Sequence, residues 1–578
     1  MIPPLALLHG WPGLCSAYAV VQAPLLAGLL QGRAPVSKLL LSPFAAAPLV
    51  LVTGLGTAAG AGLLNALGLT GGGLLQAGIG VALGSTLGYA TGRSLSRRGS
   101  CADIQQRGAI VSSEPPETAV QSGARHSGRS RAAVTLAGVQ IAAEDEVKHF
   151  KLIGTTGTGK STAIREMLSG ALARGDRAVI ADPDAGYMRH FYEAQRGDVI
   201  LNPFDGRSAK WDLFAEIEND YDVDQLARSL IPDHEGSDRS WRAYARTFFG
   251  AVTAQAHAAG TRDVRELYRL LVVAGRAELK TLVAGTPAQP FLEEHNGRMF
   301  DSIRSVTSSA VSALEYVSRQ RSAPLSVRGW VRAAQEGAGT GRLGPGGVLF
   351  MPYRAGQIAA LRSTISAWMR LAIFEAMNRE EEGEGGQRLW FVVDELDALG
   401  QIDGLKDALA RLRKFGGRCV LGFQSIAQVS STYGSGDAHT LVENCANTLI
   451  LRCSASEHGG TSLFASRLIG EREVRRIATS RSQRATELFG SVTRSEHLAT
   501  ESAVMGSQIE QLPDLSGYLK LASHPAWHRV RLHPAPRPQP QHAGTSEANI
   551  VRLVFPARGV AVQPERAAAS ADNALEPE

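Results

Sequence analysis

The chain has 578 residues, of which 60 are Lys or Arg and 55 are Asp or Glu, for a net charge of +5. That length allows several domains with sizeable cores, and so mild a charge balance neither demands nor excludes a polyanionic partner. Five cysteines, at positions 15, 101, 419, 445 and 453, show no Cys-x-x-Cys spacing and no accompanying His cluster. They exclude a disulfide framework and a zinc site of the usual spacing, and read as reduced cytosolic or membrane thiols.

No acidic residue precedes Asp103. Two apolar stretches, about Leu39 to Leu64 and about Leu74 to Ala90, contain neither Lys nor Arg. The first is long enough to cross a bilayer and the second is near the lower limit. Gly56 and Gly60 in the first, and Gly80, Gly84 and Gly88 in the second, have the spacing of closely packed membrane helices. The pair predicts a transmembrane hairpin. Arg33 and Lys38 before it, and Arg93, Arg97 and Arg98 after it, put both ends in the cytoplasm, with a short outer loop around Asn65 to Gly73. The apolar material runs too far for a cleaved signal peptide and lacks an early basic start. Met1 to Leu30 is apolar but broken by Pro3, Pro4, Pro12 and Pro24; it is either interfacial or one further short crossing that inverts the N-terminus. Residues 1–100 thus read as a membrane region. Residues 101–131, rich in Ser, Gly, Arg and Gln with no apolar period, read as a linker.

A globular unit opens at Val134 to Ile141, which reads as an edge strand. His149 to Ile153 is a short apolar strand that runs into Gly154-Thr155-Thr156-Gly157-Thr158-Gly159-Lys160-Ser161-Thr162, an instance of G-x-x-x-x-G-K-[ST] between a strand and a helix. In such a loop the glycines let backbone N–H groups turn onto phosphates. Lys160 reaches the outer phosphates, and the Ser161 hydroxyl is placed for a magnesium ion. The following helix adds the positive end of its dipole. In a chain with 62 Gly an incidental Gly-rich turn is the competing reading; the scarcity of Lys and the strand-loop-helix context weigh against it. Ala178 to Asp182 and Val199 to Phe204 are further strands, and the alternation with helices predicts a mainly parallel sheet covered on both faces.

From about Asp222 to Trp330 apolar residues recur at helical spacing, including Trp241, Tyr244, Phe248, Val252, Val264, Leu267, Leu271, Phe300, Ile303, Leu314 and Val317. This predicts an all-helical insertion, residues 222–330, whose aromatics are core rather than base-stacking groups. Gly347 to Pro352 resumes the sheet, and an amphipathic helix through Ile358, Ile365 and Phe374 leads back towards it.

Leu389 to Val393 is an apolar strand ending in Asp394-Glu395. Asp394 would hold magnesium through water, and Glu395 would polarise the attacking water. Two solvated acids capping a buried strand are the plainer alternative, which loses weight beside the phosphate loop. Cys419 to Phe423 ends in Gln424, which either senses the terminal phosphate or hydrogen-bonds its own loop. Arg411, Arg413, Lys414 and Arg418 cluster on or after the helix Leu405 to Phe415, and read equally as a solvated face. Arg319 with Arg321, and Arg472 with Arg475 and Arg476, are further basic groups, for which ordinary exposed charge is the simpler reading. From His533 to Glu578 the chain is Pro/Ala-rich and predicts a disordered tail with one candidate strand at Ile550 to Phe555.

Those motifs, with Asn202-Pro203-Phe204-Asp205, Gly422-Phe423-Gln424-Ser425 and Gln511-Leu512-Pro513-Asp514-Leu515-Ser516-Gly517-Tyr518, make the chain resemble the TraD/TrwB family of type IV secretion coupling proteins. The likeness covers about Leu39 to Leu532. One departure is the turn Asp182-Pro183-Asp184-Ala185-Gly186-Tyr187, where the family has an Asp-Pro-Asn-Gly-Glu type turn; another is the short outer loop. The resemblance implies an α/β, RecA-like P-loop NTPase core, residues 132–221 and 331–532, with an inserted all-α domain and an N-terminal transmembrane hairpin. It implies ATP held by Gly154 to Thr162, Mg2+ at Ser161 and Asp394, catalysis by Lys160 and Glu395, and phosphate sensing by Gln424. It further implies a homo-oligomeric ring, a hexamer, in which Arg413 reaches the neighbour's ATP as an arginine finger.

The function so implied is an ATP-driven DNA translocase of the bacterial inner membrane, with its catalytic part in the cytoplasm. It would couple a relaxase-bound strand to a type IV secretion channel with little sequence preference. Two alternatives compete. An FtsK-like segregation pump would have more membrane spans and a C-terminal winged helix, for which the Pro-rich tail has no room. A receptor for secreted proteins that does not hydrolyse ATP would not need Lys160 and Glu395.

Overall fold

The computed structural model describes residues 11–31, 34, 36–66, 73–96, 102–113, 133–233, 238–338, 347–378, 388–456, 459–482 and 491–534. It divides into two compact units, residues 1–108 with 472–501, and residues 109–471 with 502–578.

The first unit holds three helices, α1 (Trp11–Gln31), α2 (Val36–Ala66) and α3 (Gly73–Ser96). Of the two readings of Met1 to Leu30, the continuous helix α1 fits the further crossing and not an interfacial segment broken by prolines. Pro12 lies in the first turn, where its missing N–H has no helical partner to lose, and Pro24 is accommodated inside the helix. Among the described residues, the windows long and apolar enough to cross a membrane are Pro12–Gln31 in α1 and Lys38–Leu64 in α2; the expected second span of the hairpin, Leu74 to Ala90 in α3, is not one of them, and α1 is. The glycines of α3 make their tightest fit on α1, not α2: a Cβ on Gly88 would stand 2.4 Å from the Val21 carbonyl oxygen. Bare backbone is what permits that approach. The outer loop expected between the spans falls at 67–72, outside the described residues.

The linker expectation is corrected as well. Ala102–Gly108 is a strand antiparallel to Glu471–Ser482, and Ser491–Ser502 completes a three-stranded sheet. A polar stretch such as Asp103-Ile104-Gln105-Gln106 can pair through its backbone groups alone, so it leaves no apolar period to read. Arg472 and Arg476 both reach Glu501, at 2.8 and 2.7 Å, and Arg475 lies 3.5 Å from Glu496, so these cations are engaged within the sheet. Residues 114–132, 535–578 and the candidate strand at Ile550 to Phe555 lie outside the described residues.

The second unit is built on ten strands: β1 (Val111–Ser112), β2 (Phe150–Ile153), β3 (Arg177–Pro183), β4 (Val199–Ile200), β5 (Val348–Tyr353), β6 (Leu389–Val393), β7 (Gly417–Phe423), β8 (Asn447–Ile450), β9 (Ser516–Lys520) and β10 (Trp527–Arg531). Their order across the sheet is β1-β10-β9-β8-β2-β7-β6-β3-β5-β4. From β8 to β4 all run parallel, while β9 pairs antiparallel with both β8 and β10 and so runs against the other strands. Every residue of β2, β5, β6, β7 and β8 is buried, as strands covered on both faces must be. Val134 to Ile141 is not an edge strand of this sheet. It forms a separate hairpin, Thr135–Leu136 against Val139–Gln140, whose turn N–H groups at Ala137 and Gly138 donate to the Glu166 carboxylate at 3.0 and 2.8 Å.

Helix α4 (Lys160–Ala173) follows β2. Helices α5 (Asp220–Leu230), α6 (Arg239–Ala258), α7 (Gly297–Ala310) and α8 (Ser312–Arg319) belong to the insertion, and α9 (Ile358–Met377) follows β5. Phe248, Val252, Leu267, Phe300, Ile303 and Leu314 are fully buried, whereas Tyr244 at the rim of the stripe is 37% exposed. The neck of the insertion is a two-stranded clasp, Lys210–Trp211 beside Pro324–Leu325. Glu216, 1% exposed, fastens it by accepting from Trp211 Nε1 at 3.0 Å, Ser326 Oγ at 3.0 Å and the N–H groups of Val327 and Arg328 at 2.6 and 3.1 Å. A buried carboxylate is tolerated because each lone pair meets a donor.

At the foot of β2, His149 is 2% exposed; its Nε2 donates to the Leu409 carbonyl at 2.9 Å and its Nδ1 accepts from the Cys419 N–H at 3.2 Å. That pair of bonds assigns the neutral tautomer. Burial, foremost, depresses the imidazole to about 4. The folded state therefore binds this proton less readily than the unfolded chain, whose imidazole titrates near 6.5. The stabilisation is complete above about pH 6.5 and is lost as pH falls through about 4, in all about 3 kcal/mol. Urea midpoints of the full chain should accordingly fall further between about pH 7.5 and about pH 4.5 than those of His149→Gln, which cannot take up the proton. Equal falls would contradict this assignment.

Candidate functional site

Parallel strands deliver their C-terminal ends to one side of the sheet, where ligands of open α/β folds bind. Here β2 runs into the loop Gly154 to Gly159, while β3, β6 and β7 end beside it at Pro183, Asp394 and Gln424. Gly159 takes φ +119°, and a Cβ there would come within 2.9 Å of Leu515 and 3.0 Å of Leu532, so both conformation and space require glycine. The closing segment is stitched to the loop: the Leu515 N–H donates to the Thr158 carbonyl at 3.0 Å and the Leu532 N–H to the Leu515 carbonyl at 2.7 Å. On the other flank the Thr155 N–H donates to the Arg452 carbonyl at 2.9 Å.

Lys160 opens α4 and is 7% exposed; its Nζ donates to the Gly154 carbonyl at 2.6 Å. Burial lowers its pKa, with the charges of Asp394 and Glu395 acting against that shift. Thr158 is buried, with its hydroxyl on the Thr155 carbonyl at 2.7 Å, while Thr156, Gly157 and Thr162 face the open side to differing degrees.

The acids and the loop are joined by side chains. Ser161 Oγ donates to Asp394 Oδ2 at 2.6 Å, and the Tyr187 hydroxyl donates to the same oxygen at 2.7 Å. Asp394 Oδ1 is buried without a hydrogen-bond partner. Thr156 Oγ1 donates to Gln424 Oε1 at 2.9 Å, and Gln424 Nε2 donates to Glu395 Oε1 at 3.2 Å. Loop, acid and amide thus form one continuous arrangement. Burial first, then the charges of Asp394 and Asp397, push the Glu395 carboxyl above its ordinary range. Gly422 makes the approach of the strands possible, since a Cβ on it would lie 2.2 Å from the Asp394 carbonyl oxygen.

The expected residues divide cleanly. Gly154 to Thr162, Asp394, Glu395 and Gln424 meet at this edge. Arg413 does not: it is exposed in the short turn Arg413–Phe415 before β7, at the opposite edge of the sheet, because β7 runs parallel to β2 with Phe423 beside Ile153. The basic cluster expected around it also separates. Arg418 is buried, bonded to Glu146 at 2.8 Å and lying over Trp390. Arg319 pairs with Glu315.

Tyr187 was not foreseen as a site residue. Its backbone N–H and that of Met188 donate to the carboxylate of Asp182 at 2.9 and 2.7 Å; burial pushes that carboxyl up to about 6. A tyrosine five residues beyond the strand's acid carries no periodicity that could have singled it out.

A family model for the type IV secretion-system coupling protein DNA-binding domain matches residues 133–533. The coupling protein TraD of Escherichia coli K12 is 30% identical over 390 residues, 67% of this chain and 53% of TraD, so the chain spans about half the length of that relative. The solved plasmid coupling protein TrwB in complex with the non-hydrolysable ATP analogue ADPNP is 29% identical; the match covers 76% of this chain and 96% of that one, with a TM-score of 0.63. TrwB in complex with ADP and Mg2+ is 31% identical, covering 72% and 92%, with a TM-score of 0.61. With a P-loop NTPase core, an inserted helical domain and a family match over most of its length, the chain belongs to the TraD/TrwB family of type IV secretion coupling proteins.

Proposed function

We propose that this chain is an ATPase of the bacterial inner membrane that drives DNA, with its relaxase, into a type IV secretion channel. The observation that carries the reading is the linked set Ser161-Asp394 and Thr156-Gln424-Glu395 around the phosphate loop. The complexes of TrwB with an ATP analogue, and with ADP and Mg2+, support ATP as the substrate. The match to a coupling-protein DNA-binding domain supports DNA as the load, and the apolar helices α1 and α2 support membrane anchoring.

In this reading the loop N–H groups and Lys160, released from the Gly154 carbonyl, hold the phosphates of ATP. The residues fit a magnesium ion: Asp394 Oδ1 is a buried carboxylate oxygen without a partner, and Ser161 supplies a hydroxyl beside it. Mg2+ held by these two would neutralise charge on the outer phosphates. Glu395 takes a proton from water as that water's oxygen bonds to the terminal phosphorus. The bond from that phosphorus to the bridging oxygen breaks, and ADP leaves with the electron pair. Gln424, bonded both to the loop and to Glu395, orients the base and reports the terminal phosphate. Arg413, remote from its own chain's site, acts on the neighbour's ATP in a hexameric ring, where a cation stabilises charge developing on the phosphoryl group. Grip on DNA runs through its phosphates, so affinity falls steeply with salt and sequence preference is weak.

The full chain should hydrolyse ATP faster when DNA is added, with the stimulation shrinking as salt rises. Lys160→Ala should lose nucleotide binding, whereas Glu395→Gln should keep ATP bound and lose on the order of a hundredfold or more in turnover. A wild-type chain inert on DNA, or a fully active Lys160→Ala, would refute the reading.

Arg413 is tested by mixing. Arg413→Ala and Glu395→Gln should each be inactive alone, yet regain ATPase when combined, because a mixed boundary joins an intact Glu395 to a neighbour's intact Arg413. No recovery would remove Arg413 from the boundary.

A further inference from the structure

We propose that Tyr187 is a positioning residue of the nucleotide site, its hydroxyl holding Asp394 Oδ2 so that Oδ1 stays turned towards the metal that accompanies the nucleotide. This rests on the ATPase reading above. Three observations carry it. The hydroxyl donates to Asp394 Oδ2 at 2.7 Å, beside the Ser161 hydroxyl at 2.6 Å on the same oxygen, so Oδ2 is saturated while Oδ1 is left buried and unpartnered. The ring is 2% exposed, so the hydroxyl has no water to turn to, and the guanidinium of Arg165 lies 5.9 Å from the ring centre.

The third observation is the backbone that delivers it. Asp184 and Ala185 are consecutive non-glycine residues with φ of 54° and 53°. Left-handed backbone at such residues costs free energy, and it persists where the surroundings over-determine it, often at functional sites. Here the Asp184 N–H donates to the Tyr353 carbonyl at 2.7 Å, the Gly186 N–H to the Pro183 carbonyl at 3.2 Å, and the Asp182 carboxylate takes the N–H groups of Tyr187 and Met188. An unstrained turn would satisfy the strand end. This one also brings a hydroxyl from the end of β3 to the acid at the end of β6.

A carboxylate held by one donor can rotate; held by two, it presents its second oxygen in a fixed direction. Removing the tyrosine hydroxyl should therefore weaken the metal-dependent part of nucleotide binding and spare the rest. The test is Tyr187→Phe in the full chain, which keeps the ring and its packing. Binding of a fluorescent ADP analogue is titrated first in EDTA and then against increasing Mg2+. The expected result is unchanged affinity in EDTA and a Mg2+ requirement raised about tenfold, the scale of a lost hydrogen bond to a charged group.

Affinity falling equally in EDTA and in Mg2+, or a variant that does not fold, would overturn the proposal, since either would make the hydroxyl part of the fold rather than of the metal site. An unchanged Mg2+ requirement would overturn it too. Failure of the underlying reading would look different, because the wild-type chain itself would then bind no analogue under either condition.

Discussion

Asp394 Oδ2 accepts two hydroxyls, from Ser161 at 2.6 Å and Tyr187 at 2.7 Å, and that shared acceptor ties together three segments distant in sequence: the start of α4, the turn after β3 and the end of β6. A carboxylate only 4% exposed needs compensation for the water it has lost. Half of that compensation is present in the chain. The other half, at Oδ1, is what a divalent cation would supply in the proposed ATPase. The arrangement depends in turn on Gly422, because any side chain there would push β7 away from the Asp394 carbonyl 2.2 Å from the Cβ position. Gln424, two residues further along the same strand end, would then lose its reach to Glu395 and Thr156.

What the sequence disclosed follows from how local each signal is. The phosphate loop is contiguous, and its glycines and lysine are required by the loop's own geometry, so it could be read without knowing its neighbours. Asp394 and Glu395 stand at the end of five apolar residues and were legible for the same reason. Tyr187 was not, because its role is created by two left-handed residues and by a carboxylate on another strand. β8, β9 and β10 escaped notice because strands of four or five residues that carry polar side chains, such as Asn447-Thr448 in β8 or Trp527–Arg531, resemble loops until a partner is known. For α1 the sequence left two outcomes open because prolines weigh against a helix; one sits in the first turn and the other is absorbed, so the further crossing is the outcome that fits. Arg413 and Arg418, five residues apart in one basic cluster, went to different environments because only Arg418 lies on the strand and faces Glu146.

β6 also explains why the helical insertion is not a loose appendage to this site. Its residues alternate between two hydrophobic clusters: Phe391 and Val393 belong to the one that includes Trp368 of α9 and Phe248, Phe300 and Leu314 of the insertion, and Trp390 and Val392 to the one beneath α4. The strand that ends in Asp394 thus contributes on one side to the core it shares with the insertion and on the other to the core it shares with the helix that begins at Lys160. Close-packed interiors transmit displacement instead of absorbing it. A shift of the acid strand relative to the phosphate loop must therefore be taken up in both clusters. On the insertion side it meets a neck fastened by the four donors to Glu216 and by Arg328, which bonds Asp222 at 2.8 Å and Glu375 at 2.7 Å. Glu375 lies on α9, Asp222 on α5 and Arg328 just past the clasp, so the ion pairs join the insertion's first helix to the helix that packs on the sheet. Both exits of the insertion are clamped in this way: Glu216 fastens the clasp, and Arg328 joins α5 to α9.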